Sequence, residues 1–241
     1  QGQGMPPTGY LEADDMHIED DGSFEIILSS EKKPGNWLPM NPETGTLIVR
    51  QTFLDRENEE IAEMTIERLG ASSEPTALTP KLLDYGLTAS STLVMAAAGI
   101  FTHWAEGFMD HVNDLPEFDA ELSNEFGGDP NIVYYHSYWR IAPDEALLIE
   151  VTPPPCELWN FQLNNHWMES LDYRYYPIHV NKHTAKYRPD GSVQVVVAAH
   201  NKDFDNWIDT VGHEEGTMCW RWVRANEHPE PETRVVKLAE L

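Results

Sequence analysis

The 241 residues carry 16 Lys and Arg against 41 Asp and Glu, a formal net charge of −25, and hold two cysteines. A field of that sign repels phosphate backbones and anionic bilayers, so neither nucleic acid nor membrane is expected as a partner. Cys156 and Cys219 cannot make a disulfide framework, although one bridge between them stays open. No run reads as a membrane span of about 18 apolar residues, and residues 1–9 lack the basic and apolar regions of a signal peptide, so a soluble, cytoplasmic protein is expected.

Residues 1–10, rich in Gly and Pro, read as a linker, after which 23–29 alternates as a strand should. Residues 47–54 and 62–69 read as two further strands around a charged turn at 55–60. Composition then changes: Leu83, Leu87, Val94, Ala98, Phe101, Ala105 and Phe108 recur at helical spacing, with Thr79 as N-cap and Pro80 in the first turn. Gly86 and Gly99 are expected to divide this region into two helices, followed by an acidic connector to residue 130. From residue 131 strands return, at 132–141 and 146–152 around a hairpin turn, then at 157–167, 173–180, 183–188 and 193–198. The last has apolar residues on both faces and should lie centrally in its sheet. The expected divisions are 1–70, a β unit; 71–130, a helical insertion and connector; and 131–241, a second β unit.

The two β units share landmarks in order. Asp21-Gly22-Ser23 matches Asp190-Gly191-Ser192, Asn36-Trp37 matches Asn206-Trp207, and Gly45-Thr46 matches Gly216-Thr217, at offsets of 169, 170 and 171 residues. Residues 65–69 and 234–238 both read as closing strands. The pattern predicts a mainly β chain of two duplicated sandwich units bridged by helix. Because the second unit begins near residue 131, the matching start of the first would fall about forty positions before Gln1. A longer parent protein is therefore expected.

Three groups of residues are candidates for chemistry. In 157–167, Asn160, Gln162 and Asn164 alternate with Trp159, Phe161 and Leu163, and three carboxamides on one strand face need partners, a ligand among them. Trp159 and Trp167 are further candidate ligand contacts in this segment, while Glu169 and Asp172 are candidate acid and base if the fold makes them converge. Asp209 and His213 occur only in the second unit and are the candidate catalytic pair, beside a loop in which Asn206 is a candidate ligand contact. No HExxH, CxxC, Gly-rich phosphate loop or nucleophile elbow is present, so no metal and no cofactor are expected. The leading expectation is a self-associating module for a small polar ligand; the alternatives are a hydrolase or lyase on a carbohydrate-like substrate and a structural scaffold.

The run WNFQLNNHWMESLDYRYYPIHVNKHTAKYRPDGSVQVVVAAHNKDFDNWIDTVGHEEGTMCWRW, with GNWLPM and YYHSYWRIAPDEALLIEVTPPP upstream, resembles the bacterial proteins of domain of unknown function 1214. The resemblance implies a jelly-roll sandwich, paired in relatives with a second jelly roll, domain of unknown function 1254, and a tendency to trimers. It implies no established activity and no catalytic residues.

Overall fold

The computed structural model describes residues 7–70, 75–200 and 202–241. Residues 1–6 of the expected linker, 71–74 at the start of the expected helical region and Asn201 lie outside the described residues. The chain forms two compact units, residues 1–52 with 119–130, and residues 53–118 with 131–241.

The first unit holds strands β1 (Ile26–Ser29) and β2 (Asn36–Pro39), paired in parallel from Ile26 opposite Asn36 to Ser29 opposite Pro39. Its short helix α2 (Ala120–Glu125) is capped by the Asp119 carboxylate, which accepts from the Glu121 and Leu122 amides at 2.8 and 3.0 Å. The strand expected at 47–54 does not form. Its apolar alternation is present, but Leu47, Ile48 and Val49 are exposed and no neighbouring strand pairs with them.

The second unit opens with another missing strand, 62–69, where Ile66 and Leu69 are 76% and 84% exposed. Helix α1 (Pro80–Phe108) follows, with Thr79 Oγ1 accepting from the Leu82 amide at 3.2 Å. It runs through Gly86 and Gly99 without a break. A helical glycine costs only about 1 kcal/mol relative to Ala, less than losing the ladder on either side of it. Contrary to the reading of the sequence, Pro80–His111 is long and apolar enough to cross a membrane by length and composition. Of α1 only Ala105 and Phe108 are buried.

The remaining strands make two four-stranded sheets. One has the order β10 (Glu232–Lys237), β4 (Glu145–Val151), β7 (Val193–Ala198), β8 (Trp207–Asp209); the other has β3 (Ile132–Arg140), β9 (Glu215–Val223), β5 (Leu158–Leu163), β6 (His179–Asn181). All pairs are antiparallel except β7 with β8. The architecture is thus mainly β with antiparallel sheets and one long helix. The expected hairpin at 142–145 is instead a crossing between sheets, because β3 pairs with β9 while β4 pairs with β10 and β7. Strand β7 is central, as its two apolar faces demand. Residues 183–188 form no strand, and β6 is only the end of the expected 173–180 strand.

Between the sheets lies the main core, where Trp159, Phe161, Trp220, Trp222, Tyr135, Trp139, Val195 and Val197 are buried together. A second cluster, with Ala146, Leu148, Val196, Ala198 and Leu238, covers the outer face of the β4–β7 sheet. Gly216 is needed at its site, because a Cβ there would press into the Asn164 carbonyl oxygen, which already accepts from Trp139 Nε1 at 3.1 Å.

Two of the three repeated landmarks have repeated geometry, whereas Gly45-Thr46 lies in no strand and Gly216-Thr217 lies in β9. In each turn the Asp carboxylate accepts from the Ser amide, Asp21 from Ser23 at 3.0 Å and Asp190 from Ser192 at 2.9 Å, and Gly22 and Gly191 both have φ of 84°. The Ser23 and Ser192 hydroxyls first, and then those amides, hold both carboxyls below their usual range. Asn36 accepts from His17 N and donates to His17 O and Glu25 O at 2.7, 2.8 and 3.0 Å. Asn206 accepts from Lys186 N and donates to Lys186 O and Gln194 O at 2.8, 2.9 and 2.9 Å. Trp37 Nε1 donates to Ser29 O and Trp207 Nε1 to Ala198 O, at 3.2 and 2.9 Å. Each Asn therefore ties three backbone groups into one brace. Replacing Asn206 by Ala leaves those groups without their partner, and urea unfolding is expected to show a loss of about 1–3 kcal/mol. An unchanged midpoint would mean water replaces the carboxamide.

Candidate functional site

Alternation along β3, β9, β5 and β6 sends every second side chain into the core and the others to the outer face. Register places these outer residues in rows: Tyr134, Arg221, Asn160 and Asn181 in one, and His136, Cys219, Gln162 and His179 in the next. The β3 side of this face is covered by aromatic rings. His136 lies between Phe108 and Tyr134, stacked at 5.2 and 5.4 Å, with Phe118 edge-on at 5.2 Å. Burial, and then the positive Arg221 nearby, push the His136 pKa down to about 3, so its ring is neutral.

Cys219 Sγ sits 3.9 Å from His136 Nε2, and burial raises the thiol pKa. Both shifts oppose a thiolate–imidazolium pair, so this contact is packing, not an activated nucleophile.

Toward β5 and β6 the face is polar. Arg221, half-buried, donates from Nη1 to Asn160 Oδ1 at 3.1 Å and lies 5.9 Å from the Tyr134 ring centre. Among the described residues no carboxylate comes within ion-pair distance of it, whereas Arg140, Arg174, Arg188 and Arg224 each have one. Gln162 donates to Asn164 Oδ1 at 2.7 Å. The edge is formed by residues 54–56: Asn181 Nδ2 donates to Leu54 O at 3.0 Å, Asp55 pairs with His183 at 3.6 Å, and the Arg56 guanidinium lies 5.4 Å over the Tyr173 ring. Arg56 faces His179, whose pKa is lowered first by burial and then by that positive charge.

The residues singled out from sequence are distributed as follows. Asn160, Gln162 and Asn164 come together on this face. Trp159 is fully buried in the core, stacked on Trp220 at 4.8 Å with Nε1 donating to Tyr187 Oη at 3.0 Å. Trp167 is 54% exposed with its ring edge-to-face with His166 at 4.7 Å. Asn206 has both ends of its carboxamide on backbone groups.

Asp209 accepts from the Val211 amide at 2.8 Å, closing its own turn, and Glu169 accepts from Asn165 Nδ2 at 2.7 Å, closing another. Asp172 is held by Arg174 at 2.9 and 3.0 Å, which keeps its carboxyl below the usual range. His213 is exposed, its amide donating to Thr210 O at 2.9 Å. Among the described residues no hydrogen bond or ion pair joins any two of His213, Asp209, Glu169 and Asp172.

Among the described residues no three His, Cys, Asp or Glu side chains are grouped to hold a metal ion. In the first unit, an open concavity lined by His17, Glu19, Pro34 and Asn36 has its polar groups largely engaged, with His17 paired to Glu19 at 3.3 Å. Arg221, Arg56 and His136 were missed from sequence. Arg221 alone left a signal, a single cation between Trp220 and Trp222 in an apolar strand, which marks the opposite face.

A family model described as "Protein of unknown function (DUF1214)" matches residues 8–53 and 146–227. The chain belongs to this family. Both matched segments of this DUF1214 chain contain the recurring Asp-Gly-Ser turn and Asn-Trp brace. A solved structure of an uncharacterized protein from Burkholderia cenocepacia is 51% identical with a TM-score of 0.95, covering 99% of this chain and 66% of that one. The chain thus spans about two thirds of that relative's length. The VPA0106 protein from Vibrio parahaemolyticus is 15% identical over 68% of this chain and 47% of its own, with a TM-score of 0.39. A comparison with curated proteins finds no match.

Proposed function

We propose that this DUF1214 chain is an oligomeric ligand-binding and assembly module, built from a duplicated jelly-roll-like unit and carrying its ligand on the polar outer face of β9, β5 and β6. The observation that carries the binding part is the half-buried Arg221, set beside Asn160 and away from carboxylates in a strongly acidic protein. A buried-side guanidinium without a counter-ion is costly, and an incoming acceptor relieves it. The duplication rests on the matched braces of Asn36 and Asn206. The catalytic alternative needs His213 and a carboxylate in contact, and in the chain alone each carboxylate closes its own turn.

Assembly is supported by α1. Leu87, Leu93, Val94 and Met95 are 62%, 70%, 67% and 77% exposed on one continuous helix, a larger apolar surface than a monomer ordinarily leaves in water. The occupant we assign is a second copy of the same polypeptide. Light scattering after size exclusion, without detergent, is expected to give a multiple of the subunit mass, a trimer first among the possibilities, and the Leu87→Glu/Val94→Glu double variant is expected to dissociate it. A wild-type monomer, or flotation with neutral phosphatidylcholine vesicles, would overturn self-association, the second outcome in favour of a membrane-embedded helix.

A further inference from the structure

We infer that the polar outer face binds a short dicarboxylate, with Arg221 and Arg56 each pairing with one carboxylate and the carboxamides of Asn160 and Gln162 completing the contact. This rests on the binding reading above and adds the chemical class of the ligand.

The two guanidiniums stand at opposite margins of one polar surface. Arg221 rises from β9, while Arg56 comes with the 54–56 segment fastened to β6 through Asn181 and His183. From β9 across β5 to β6 is two strand spacings of about 4.8 Å, roughly 10 Å, a separation that a four- to six-carbon diacid with a guanidinium paired at each end covers. Neither cation has a carboxylate within ion-pair distance among the described residues; Arg56 instead lies over Tyr173 and Arg221 beside Tyr134. Ring stacking leaves the edge of a guanidinium, with its parallel N–H donors, open to a carboxylate fork.

The other charged or titratable groups nearby do not fill that role. Asp55 accepts from the amides of Glu57 and Asn58 and from Asn58 Nδ2, and pairs with His183. His136 is sandwiched by rings, Cys219 is buried, and His179 is an imidazole beside Gln162. Asn160 lies opposite Arg221 and Asn181, and Gln162 opposite Cys219 and His179, so both carboxamides stand between β9 and β6. A diacid is favoured over a phosphate because the two guanidiniums stand apart and a single phosphate group does not reach both.

The test is isothermal titration of the protein as its gene encodes it with succinate, inorganic phosphate and xylose at matched ionic strength. Succinate is expected to bind, with at least tenfold weaker binding in both Arg221→Gln and Arg56→Gln, near-UV circular dichroism confirming that each variant keeps its tertiary packing. Acetate should bind more weakly than succinate. Equal binding of phosphate and succinate would overturn the dicarboxylate class, as would succinate binding unchanged in both variants. Heat from xylose alone, lost in Asn160→Ala/Gln162→Ala, would overturn the dicarboxylate and leave the binding reading standing. No heat from any of the four would overturn both.

Discussion

Truncating Trp220 to Ala is expected to remove about 3–5 kcal/mol, a large share of the stability of an ordinary domain. Trp220 is fully buried at the centre of the aromatic core, stacked on Trp159 at 4.8 Å and packed edge-on to Trp222 at 5.2 Å and tilted against Phe161 at 6.1 Å. The informative comparison is with phenylalanine. Trp220 Nε1 has no hydrogen-bond partner among the described residues, whereas Trp159 Nε1 donates to Tyr187 Oη. Trp220→Phe discards an N–H that bonds to nothing and keeps an aromatic ring in the stack. Trp159→Phe also loses a made hydrogen bond, worth about 0.5–1.5 kcal/mol, and strips Tyr187 of a donor. Urea unfolding should therefore rank Trp220→Ala as most damaging, Trp159→Phe next and Trp220→Phe least. If Trp220→Phe proves worse than Trp159→Phe, the indole N–H of Trp220 has a partner, such as an enclosed water, and the core is wetter than its side chains indicate.

The same core shows what the sequence could and could not reveal. Apolar alternation marks Trp159, Phe161 and Leu163 as inward facing, and the Asn-Trp repeat marks a folding brace, because a short polar residue beside a shared Trp keeps its meaning wherever the backbone repeats. The strands expected at 47–54 and 62–69 fail for the opposite reason: alternation measures amphipathicity, and a strand exists only where a neighbour supplies hydrogen bonds. Gly86 and Gly99 misled as helix breaks since a glycine weakens a helix by an amount that a long ladder absorbs. The polar face is least legible. Arg221, Asn160 and Asn181 meet only because β9 pairs with β5 and β5 with β6, and the sequence separation between 160 and 221 carries no trace of that register. Asp209 and His213, chosen because the first unit lacks them, instead mark where the second turn has its own local geometry, with Val211 at φ 51° and Gly212 at φ 77°.

Acidification should destabilise the second unit well before its carboxylates titrate. The folded pKa of His136 is depressed, so the native state keeps the ring neutral while the unfolded chain takes up a proton below the ordinary value of 6.5. Stability from this group is complete above the unfolded pKa and declines as pH falls from there toward about 3, with a slope of at most about 1.4 kcal/mol per pH unit. His179, also depressed, acts in the same direction. Asp55, Asp172 and Asp190 have carboxyls held below 3.8 in the fold, so they contribute above their unfolded pKa and lose that contribution at lower pH than the histidines do. The interval from about pH 6.5 to 4.5 thus isolates the imidazoles. Replacing His136 by Phe keeps a flat ring between Phe108 and Tyr134 and removes its titration. Urea midpoints measured across that interval should fall steeply in the wild type and much less in His136→Phe, with a residual slope from His179. Parallel curves for the two proteins would place the acid sensitivity elsewhere and show that His136 accepts its proton in the folded state, the ring stack opening to water as it does.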